Sequence, residues 1–207
     1  MPTFRLTALG DSFVEGRGDP AHAGSWHGWV PRLAEMLGIA PSSVRNLGVH
    51  MATTQDVVDR QLGTAVANKS PLIGVVVGVN DLLSDFDLTR MRRNLSTIFG
   101  NLAGMDTVVF TATYADIPRN LPLPETFRGL LRSRFAAANE ALAEITRASG
   151  ALCLDVTAPS QWADPAFWAA DGLHPSPLGH RHFAEGVAGL LERVAGVPVL
   201  AASAPTS

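Results

Sequence analysis

The sequence contains a single cysteine, Cys153, which excludes an intrachain disulfide bond and a cysteine-rich metal site. Cys153 lies in the apolar run 151–154, where a small buried side chain is more common than a reactive thiol. We therefore expect Cys153 to pack in the protein core.

Long apolar runs and runs of basic residues are also missing. The longest apolar run, 72–79, is too short to cross a membrane, and the N-terminus lacks the features of a secretory signal. Lys and Arg number 16 against 19 Asp and Glu and form no basic stripe, so nucleic acid is not an expected partner. We expect a cytoplasmic protein without a membrane partner. Nothing in the sequence specifies its oligomeric state.

The chain has 207 residues, 46% hydrophobic and 17% charged, which suits one α/β domain. Short apolar segments predict strands at 4–9, 43–47, 72–77, 107–111 and 151–155. Amphipathic segments between and after them predict helices at 29–37, 53–67, 87–102, 127–149 and 178–194. The alternation predicts a three-layer α/β/α sandwich with a five-stranded parallel sheet. One domain is expected over 1–195, with 196–207 as a frayed C-terminal tail.

Polar residues follow four of the predicted strands. They are Ser12 after the first strand, the segment 46–54 after the second, Asn80 after the third, and Asp171 with His174 after the fifth. With right-handed crossovers these positions share the carboxyl edge of the sheet, where ligands bind. Alone, the turn that holds Ser12 is more typical of a plain strand end. Together, the positions favour a functional site.

These residue types suit acyl transfer by a nucleophilic serine. Ser12 requires a base that removes its proton, and histidine does so best near neutral pH. Asp171 lies three residues before His174 and could fix the imidazole tautomer, with Gly172 allowing a tight turn. The Asn80 amide and the Ser12 backbone N–H are candidate donors to the oxyanion of a tetrahedral intermediate.

Four motifs in this order resemble those of the SGNH/GDSL hydrolase family. They are Gly10-Asp11-Ser12, the segment 46–54 (NLGVHMATT), Gly78-Val79-Asn80-Asp81, and Asp171-Gly172-Leu173-His174-Pro175. The resemblance covers about residues 4–190 and implies a flavodoxin-like SGNH hydrolase fold and an esterase or deacylase that acts on a small acylated molecule. It implies Ser12 as nucleophile, His174 as general acid and base, Asp171 as its orienting partner and Asn80 as an oxyanion donor. It implies no metal and no cofactor.

The second motif departs from the family pattern at Met51, which falls where the resemblance places a glycine that supplies another backbone donor to the oxyanion. Methionine keeps its N–H, so the oxyanion hole survives if Met51 reaches its place without a positive φ. We predict that the Met51 side chain narrows or reshapes the acyl pocket.

Asp11, His50 and Trp168 are candidate substrate contacts. His50 is equally well explained as a surface histidine, and Trp168 as a packing residue. His180 and His182 point in different directions on a helix, which disfavours a shared metal.

Two functional alternatives stay open. In an acyltransferase or cyclase, a hydroxyl or amine would replace water, and Met51 together with the aromatic loop 157–177 would favour this by excluding water. A catalytically weak binding protein could share the fold, but such a protein has no evident need for Ser12, Asn80, Asp171 and His174 together.

Overall fold

In the computed structural model, which describes residues 4–158 and 160–200, five strands form one parallel sheet in the order β2-β1-β3-β4-β5. The strands are β1 (Leu6–Gly10), β2 (Val44–Asn46), β3 (Leu72–Val76), β4 (Val108–Ala112) and β5 (Leu152–Leu154). This order is the flavodoxin-like one, in which the chain reverses direction across the sheet between β1 and β3. The predicted fold class is confirmed.

The helices follow the predicted positions and add two short ones. They are α1 (Ser12–Glu15), α2 (Trp29–Met36), α3 (Thr54–Asp56), α4 (Leu62–Asn68), α5 (Val79–Leu83), α6 (Leu88–Leu102), α7 (Glu125–Ser149) and α8 (Pro177–Ala195). A π-helical segment, Val57–Gln61, joins α3 to α4. Short 3-10 turns occupy His22–Gly24, Pro41–Ser43, Ile117–Asn120, Ser160–Ala163 and Pro165–Phe167.

The core lies on both faces of the sheet. Strands β1 and β3 are buried along their whole length, as continuous apolar runs in a parallel sheet require. Helix α2 packs on α8, and α6 packs on α7. Trp29 of α2 is fully buried, with its ring centroid 5.9 Å from Phe110 and 5.2 Å from Phe183.

Sequence signals for helix ends account for several boundaries. Thr53 caps α3 in a reciprocal capping box with Asp56. Gly150 ends α7 in the left-handed conformation that glycine adopts without strain. Gly10 pairs with Val76 across β1 and β3, so the residues that follow these two strands emerge side by side.

Residues 196–200 are anchored at two points, although the sequence predicts a frayed tail from residue 196. Val197 is buried, and the Leu200 N–H donates a hydrogen bond of 2.8 Å to the Met36 carbonyl at the end of α2. The remaining tail residues, 201–207, lie outside the described residues.

Cys153 packs against the core with a half-buried side chain. Burial, followed by the charge of Asp155, raises its thiol pKa to about 11, so it stays protonated at neutral pH. Within residues 4–158 and 160–200, no helix combines the length and the apolar content that a membrane span requires.

Candidate active site

Three side chains from opposite ends of the chain form one hydrogen-bonded series at the carboxyl edge of the sheet. Ser12 Oγ lies 3.0 Å from His174 Nε2, and His174 Nδ1 lies 2.6 Å from Asp171 Oδ2. Ser12 is the first residue of α1, directly after β1, and only 8% of its surface is exposed. The predicted meeting of Ser12, His174 and Asp171 therefore occurs in the structure.

The Asp171 carboxylate is held in its ionised form. Burial alone would raise its pKa, but hydrogen bonds from the His174 side chain and from the backbone N–H groups of His174 and Leu173 outweigh burial and lower it. Those two N–H groups lie 3.0 and 2.9 Å from Asp171 Oδ1. An ionised Asp171 keeps the proton on His174 Nδ1, so the Nε2 lone pair faces the Ser12 hydroxyl.

The loop that carries His174 is fixed by close backbone packing. Gly18 approaches so closely that a Cβ there would lie 2.0 Å from the Pro175 carbonyl oxygen. Gly172 has a φ of 66°, and a Cβ there would lie 2.7 Å from the Asn120 carbonyl oxygen. Two neighbouring segments therefore set the position of the imidazole.

Asn80 lies in the first turn of α5 and lines the same cavity as Ser12 and His174. Its Nδ2 donates a hydrogen bond of 2.9 Å to the Ala52 carbonyl, which orients the amide and leaves its second hydrogen for another acceptor. The Ser12 N–H, at the start of α1, has no acceptor among the described residues. Both groups suit an oxyanion.

Met51 has a φ of 65°, contrary to the condition set from the sequence. Only Lys69 shares a positive φ among the described residues other than glycine. The left-handed region costs a side-chain-bearing residue roughly 1–2 kcal/mol. The Met51 N–H has no acceptor among the described residues, so its place in an oxyanion hole stays a prediction.

The Met51 side chain does not narrow the cavity beside Ser12, and that prediction is wrong. It is 64% exposed and lines a separate groove, formed by residues 46–52 together with Asp56, Arg60 and Gln61.

The cavity beside Ser12 is small and mainly apolar, with about 70 Å³ of free space. Its apolar wall includes Val79, Ala115, Ile117, Val156, Trp162, Trp168 and Leu173. Trp168 is 9% exposed, and its indole N–H donates to the Trp162 carbonyl at 3.0 Å. Trp168 thus lines the same cavity as Ser12, and its contact with substrate stays a prediction.

Asp11 lines the cavity but is committed to the turn. It is 3% exposed, and its Oδ1 accepts a hydrogen bond of 2.9 Å from the Phe13 N–H, which caps α1. Burial, reinforced by the charge of Asp81, raises its pKa to about 7 against the opposing hydrogen bonds. Asp11 therefore holds the serine turn, and its predicted contact with substrate stays a prediction.

The other histidines separate into different environments. His50 is exposed in the groove, with its ring centroid 6.3 Å from that of His174. His180 is fully buried and donates from Nε2 to the Arg17 carbonyl at 2.8 Å, whereas His182 packs against Phe167. In the part of the chain that the structure describes, no cluster of three or more His, Cys, Asp or Glu side chains could hold a metal ion.

Two residues that support the site were missed in the sequence. The Gln61 amide accepts from the Gly10 N–H at 2.8 Å and donates to the Gly10 carbonyl at 2.9 Å. The Asp81 carboxylate accepts from the Thr54 N–H at 2.9 Å and from its hydroxyl at 2.6 Å. Gln61 lies outside the four motifs, so the sequence gives no reason to single it out. Thr54 and Asp81 lie in the second and third motifs, but the sequence does not indicate that they form hydrogen bonds with each other.

The flavodoxin-like sheet with these residues at its carboxyl edge defines an SGNH-type hydrolase architecture. The chain belongs to the GDSL-like lipase/acylhydrolase family, whose model matches residues 8–182. It is accordingly an enzyme of the esterase and lipase type. A search among curated protein sequences found no match.

Several solved structures share the fold at low sequence identity. A lipase/acylhydrolase from Enterococcus faecalis is 22% identical with a TM-score of 0.68, over 97% of this chain and 99% of that one. A catalytic mutant of an acetylxylan esterase from Geobacillus stearothermophilus is 20% identical with a TM-score of 0.68, over 96% and 97%. A lipase from a goat rumen metagenome is 17% identical with a TM-score of 0.69, over 91% and 97%.

Proposed function

We propose that this enzyme hydrolyses esters of a small acylated molecule through an acyl-serine intermediate on Ser12. The observation that carries the proposal is the hydrogen-bonded series from Ser12 through His174 to Asp171, at the wall of an apolar cavity. An imidazole 3.0 Å from a hydroxyl is within reach of its proton.

The first half-reaction forms the acyl-serine. His174 Nε2 takes the hydroxyl proton while Ser12 Oγ bonds to the substrate carbonyl carbon, and the carbonyl oxygen becomes an oxyanion. The Ser12 N–H, the Asn80 side-chain amide and the Met51 N–H stabilise that charge. When the oxyanion re-forms the carbonyl, the bond to the leaving alcohol breaks and His174 gives its proton to the departing oxygen.

The second half-reaction repeats these steps with water. His174 removes a proton from water as the water oxygen attacks the acyl carbon, and the proton then passes to Ser12 Oγ as the acid departs. Asp171 stays ionised and stabilises the imidazolium in both halves.

The cavity selects the acyl group by size. Its small free space and apolar wall fit a short chain such as acetyl or butyryl. We expect 4-nitrophenyl acetate and butyrate to be turned over with higher kcat/KM than the octanoate. Preference for octanoate would contradict the assignment of this cavity to the acyl group.

The roles are tested by substitution. Ser12→Ala and His174→Ala should each lower kcat on 4-nitrophenyl butyrate by about 10³-fold or more, and the double variant should be hardly worse because the residues act as a unit. Labelling by a fluorophosphonate should depend on Ser12. Near wild-type turnover in either single variant would refute the roles.

The transferase alternative is tested by adding an acceptor alcohol and measuring transfer product. The Met51 side chain is exposed outside the cavity, so it does not help to exclude water. Trp162 and Trp168 of the aromatic loop do line the cavity, so that part of the support remains. The absence of both turnover and labelling would favour the binding-protein alternative. Location in the cytoplasm stays a prediction.

A further inference from the structure

A second concave surface adjoins the cavity. This groove has about 480 Å³ of free space and is formed by the turn 46–52 together with Asp56, Arg60 and Gln61. It is much roomier than the cavity, and its surface is more polar. Met51 and His50 are exposed in it.

The groove reaches the region beside His174, next to which a leaving alcohol has to lie. During ester cleavage the departing oxygen receives its proton from His174 Nε2, so the alcohol has to lie beside the imidazole. The small cavity fits only the acyl part. His50, in the groove, has its ring centroid 6.3 Å from that of His174, which brings the groove to the base.

Most polar side chains of the groove are already hydrogen-bonded within the protein. Both ends of the Gln61 amide bind Gly10, and the Asn46 amide binds the Val14 carbonyl and the Gly48 N–H. The Asp56 carboxylate accepts from the Thr53 N–H at 3.0 Å and from its hydroxyl at 2.7 Å. Both of these bonds are to Asp56 Oδ2, and Asp56 Oδ1 faces the Arg60 guanidinium.

Donors, in contrast, remain available. The Arg60 side chain is 77% exposed and makes one ion pair, with Asp56 at 3.3 Å. A guanidinium has five N–H donors, so most of them face solvent or a ligand. Arg60 belongs to the π-helical segment, an irregularity frequent at functional sites.

We propose that the groove binds the leaving alcohol of the ester, that Arg60 favours an alcohol with a negatively charged group, and that Met51 contacts that alcohol. The proposal rests on the function proposed above, because it assumes that Ser12 and His174 cleave the ester. It assigns the methionine at the unusual position to the leaving group and not to the acyl group.

The charge preference is tested with butyrate esters that share the acyl group and differ in the phenol. The probes are phenyl butyrate, its 4-carboxylate and its 4-trimethylammonium derivative. Arg60→Ala should lower kcat/KM for the carboxylate relative to phenyl butyrate by about twofold to fivefold, as expected for one exposed ion pair. The same variant should raise kcat/KM for the cationic ester relative to phenyl butyrate. Both changes should shrink at high salt.

A matched arginine serves as the control. Replacing Arg147, which is exposed on α7 and outside the groove, by alanine should leave the kcat/KM ratios of both charged esters to phenyl butyrate unchanged. Unchanged ratios in Arg60→Ala would overturn the charge preference, and turnover of phenyl butyrate would show that the variant is folded.

Met51 is tested by separating the two halves of the substrate. Met51→Ala should change the ratio of 2-naphthyl to phenyl butyrate at least twofold, and leave the ratio of 4-nitrophenyl acetate to hexanoate as in the wild type. The reverse pattern would overturn the assignment of Met51 to the leaving group. Loss of Ser12-dependent turnover on every ester would instead refute the proposed function itself.

Discussion

Lowering the pH should place a charge in the core at His180 of α8, which packs against the turn that carries Ser12. His180 is fully buried, with its ring centroid 5.2 Å from that of Phe13, the residue after Ser12. Its Nε2 proton is committed to the Arg17 carbonyl, and Nδ1 has no partner among the described residues. Protonation at Nδ1 would therefore create a buried N–H without an acceptor.

The size and sign of the effect follow from the pKa. Burial lowers the pKa of His180 from 6.5 to about 4; the hydrogen bond to Arg17 and the charge of Asp19 oppose burial, and Arg32 adds to it. Between these values the unfolded chain binds the proton and the folded protein does not, so stability falls as the pH falls through the window. At about 1.4 kcal/mol per pKa unit, the loss at pH 4 and below amounts to about 3 kcal/mol.

Protonation of Asp11 changes the stability of the folded protein in the opposite direction, over an overlapping pH range. Its pKa, raised from 3.8 to about 7, means that the folded protein takes up a proton as the pH falls, which adds stability. The wild-type profile therefore contains both contributions. Asp171 and Asp56 have lowered pKa values, so their contributions to stability fade as the pH falls through the unfolded value of 3.8. These contributions are common to the wild type and a His180 variant and cancel in their difference.

The assay is urea unfolding of the wild type and His180→Gln at pH 7, 6, 5 and 4. Glutamine retains a donor for the Arg17 carbonyl and does not titrate. The difference in unfolding free energy between the two proteins should shift by about 3 kcal/mol in favour of the variant from pH 7 to pH 4. His182→Gln, on the same helix, should keep the wild-type slope. Parallel curves for wild type and His180→Gln would refute the reasoning.

Two further predictions concern backbone positions. Gly18→Ala places a Cβ 2.0 Å from the Pro175 carbonyl oxygen and should lower kcat at least tenfold, because it displaces His174. Gly24→Ala is the control: Gly24 has a φ of 74° and lies in open space, so kcat should not fall. Equal kcat in both variants would contradict this prediction. Met51→Gly relieves a left-handed side chain and should raise the unfolding free energy by about 1 kcal/mol. Lys69→Gly should raise the unfolding free energy by a similar amount. If only Met51→Gly lowered it, the Met51 side chain would have to be packed in the folded protein.

Much of the fold was predictable because each central strand is buried on both faces and so appears as a short continuous apolar run. Strand boundaries differed from the prediction by at most two residues, because the residues at which a strand begins and ends depend on its hydrogen bonds to neighbouring strands. Helix α5 was not predicted, because its five residues are too few to show the helical spacing of apolar side chains. The π-helical segment was missed because a helix with one irregular turn has nearly the same apolar pattern as a regular one.

Candidate site residues were predictable where the residue type itself suggests a chemical role, as serine and histidine do at Ser12 and His174. They were not predictable where a residue acts through distant backbone. Gln61 binds Gly10 across 51 positions of sequence, and Asp81 binds Thr54 across 27. Glutamine and aspartate are common on helices, so nothing in their spacing distinguishes them from solvent-exposed residues.

The backbone of Met51 explains why its side chain does not narrow the acyl pocket as predicted. A left-handed residue directs its Cβ to the other side of the chain than an extended residue does, and here the side chain lies in the groove. Such strain persists only where neighbours hold the backbone. The Ala52 N–H binds the Val49 carbonyl at 3.1 Å, and the Ala52 carbonyl binds Asn80. The turn that carries the strain is thus tied to a proposed oxyanion donor, so relaxing Met51 alone should leave Asn80 in place.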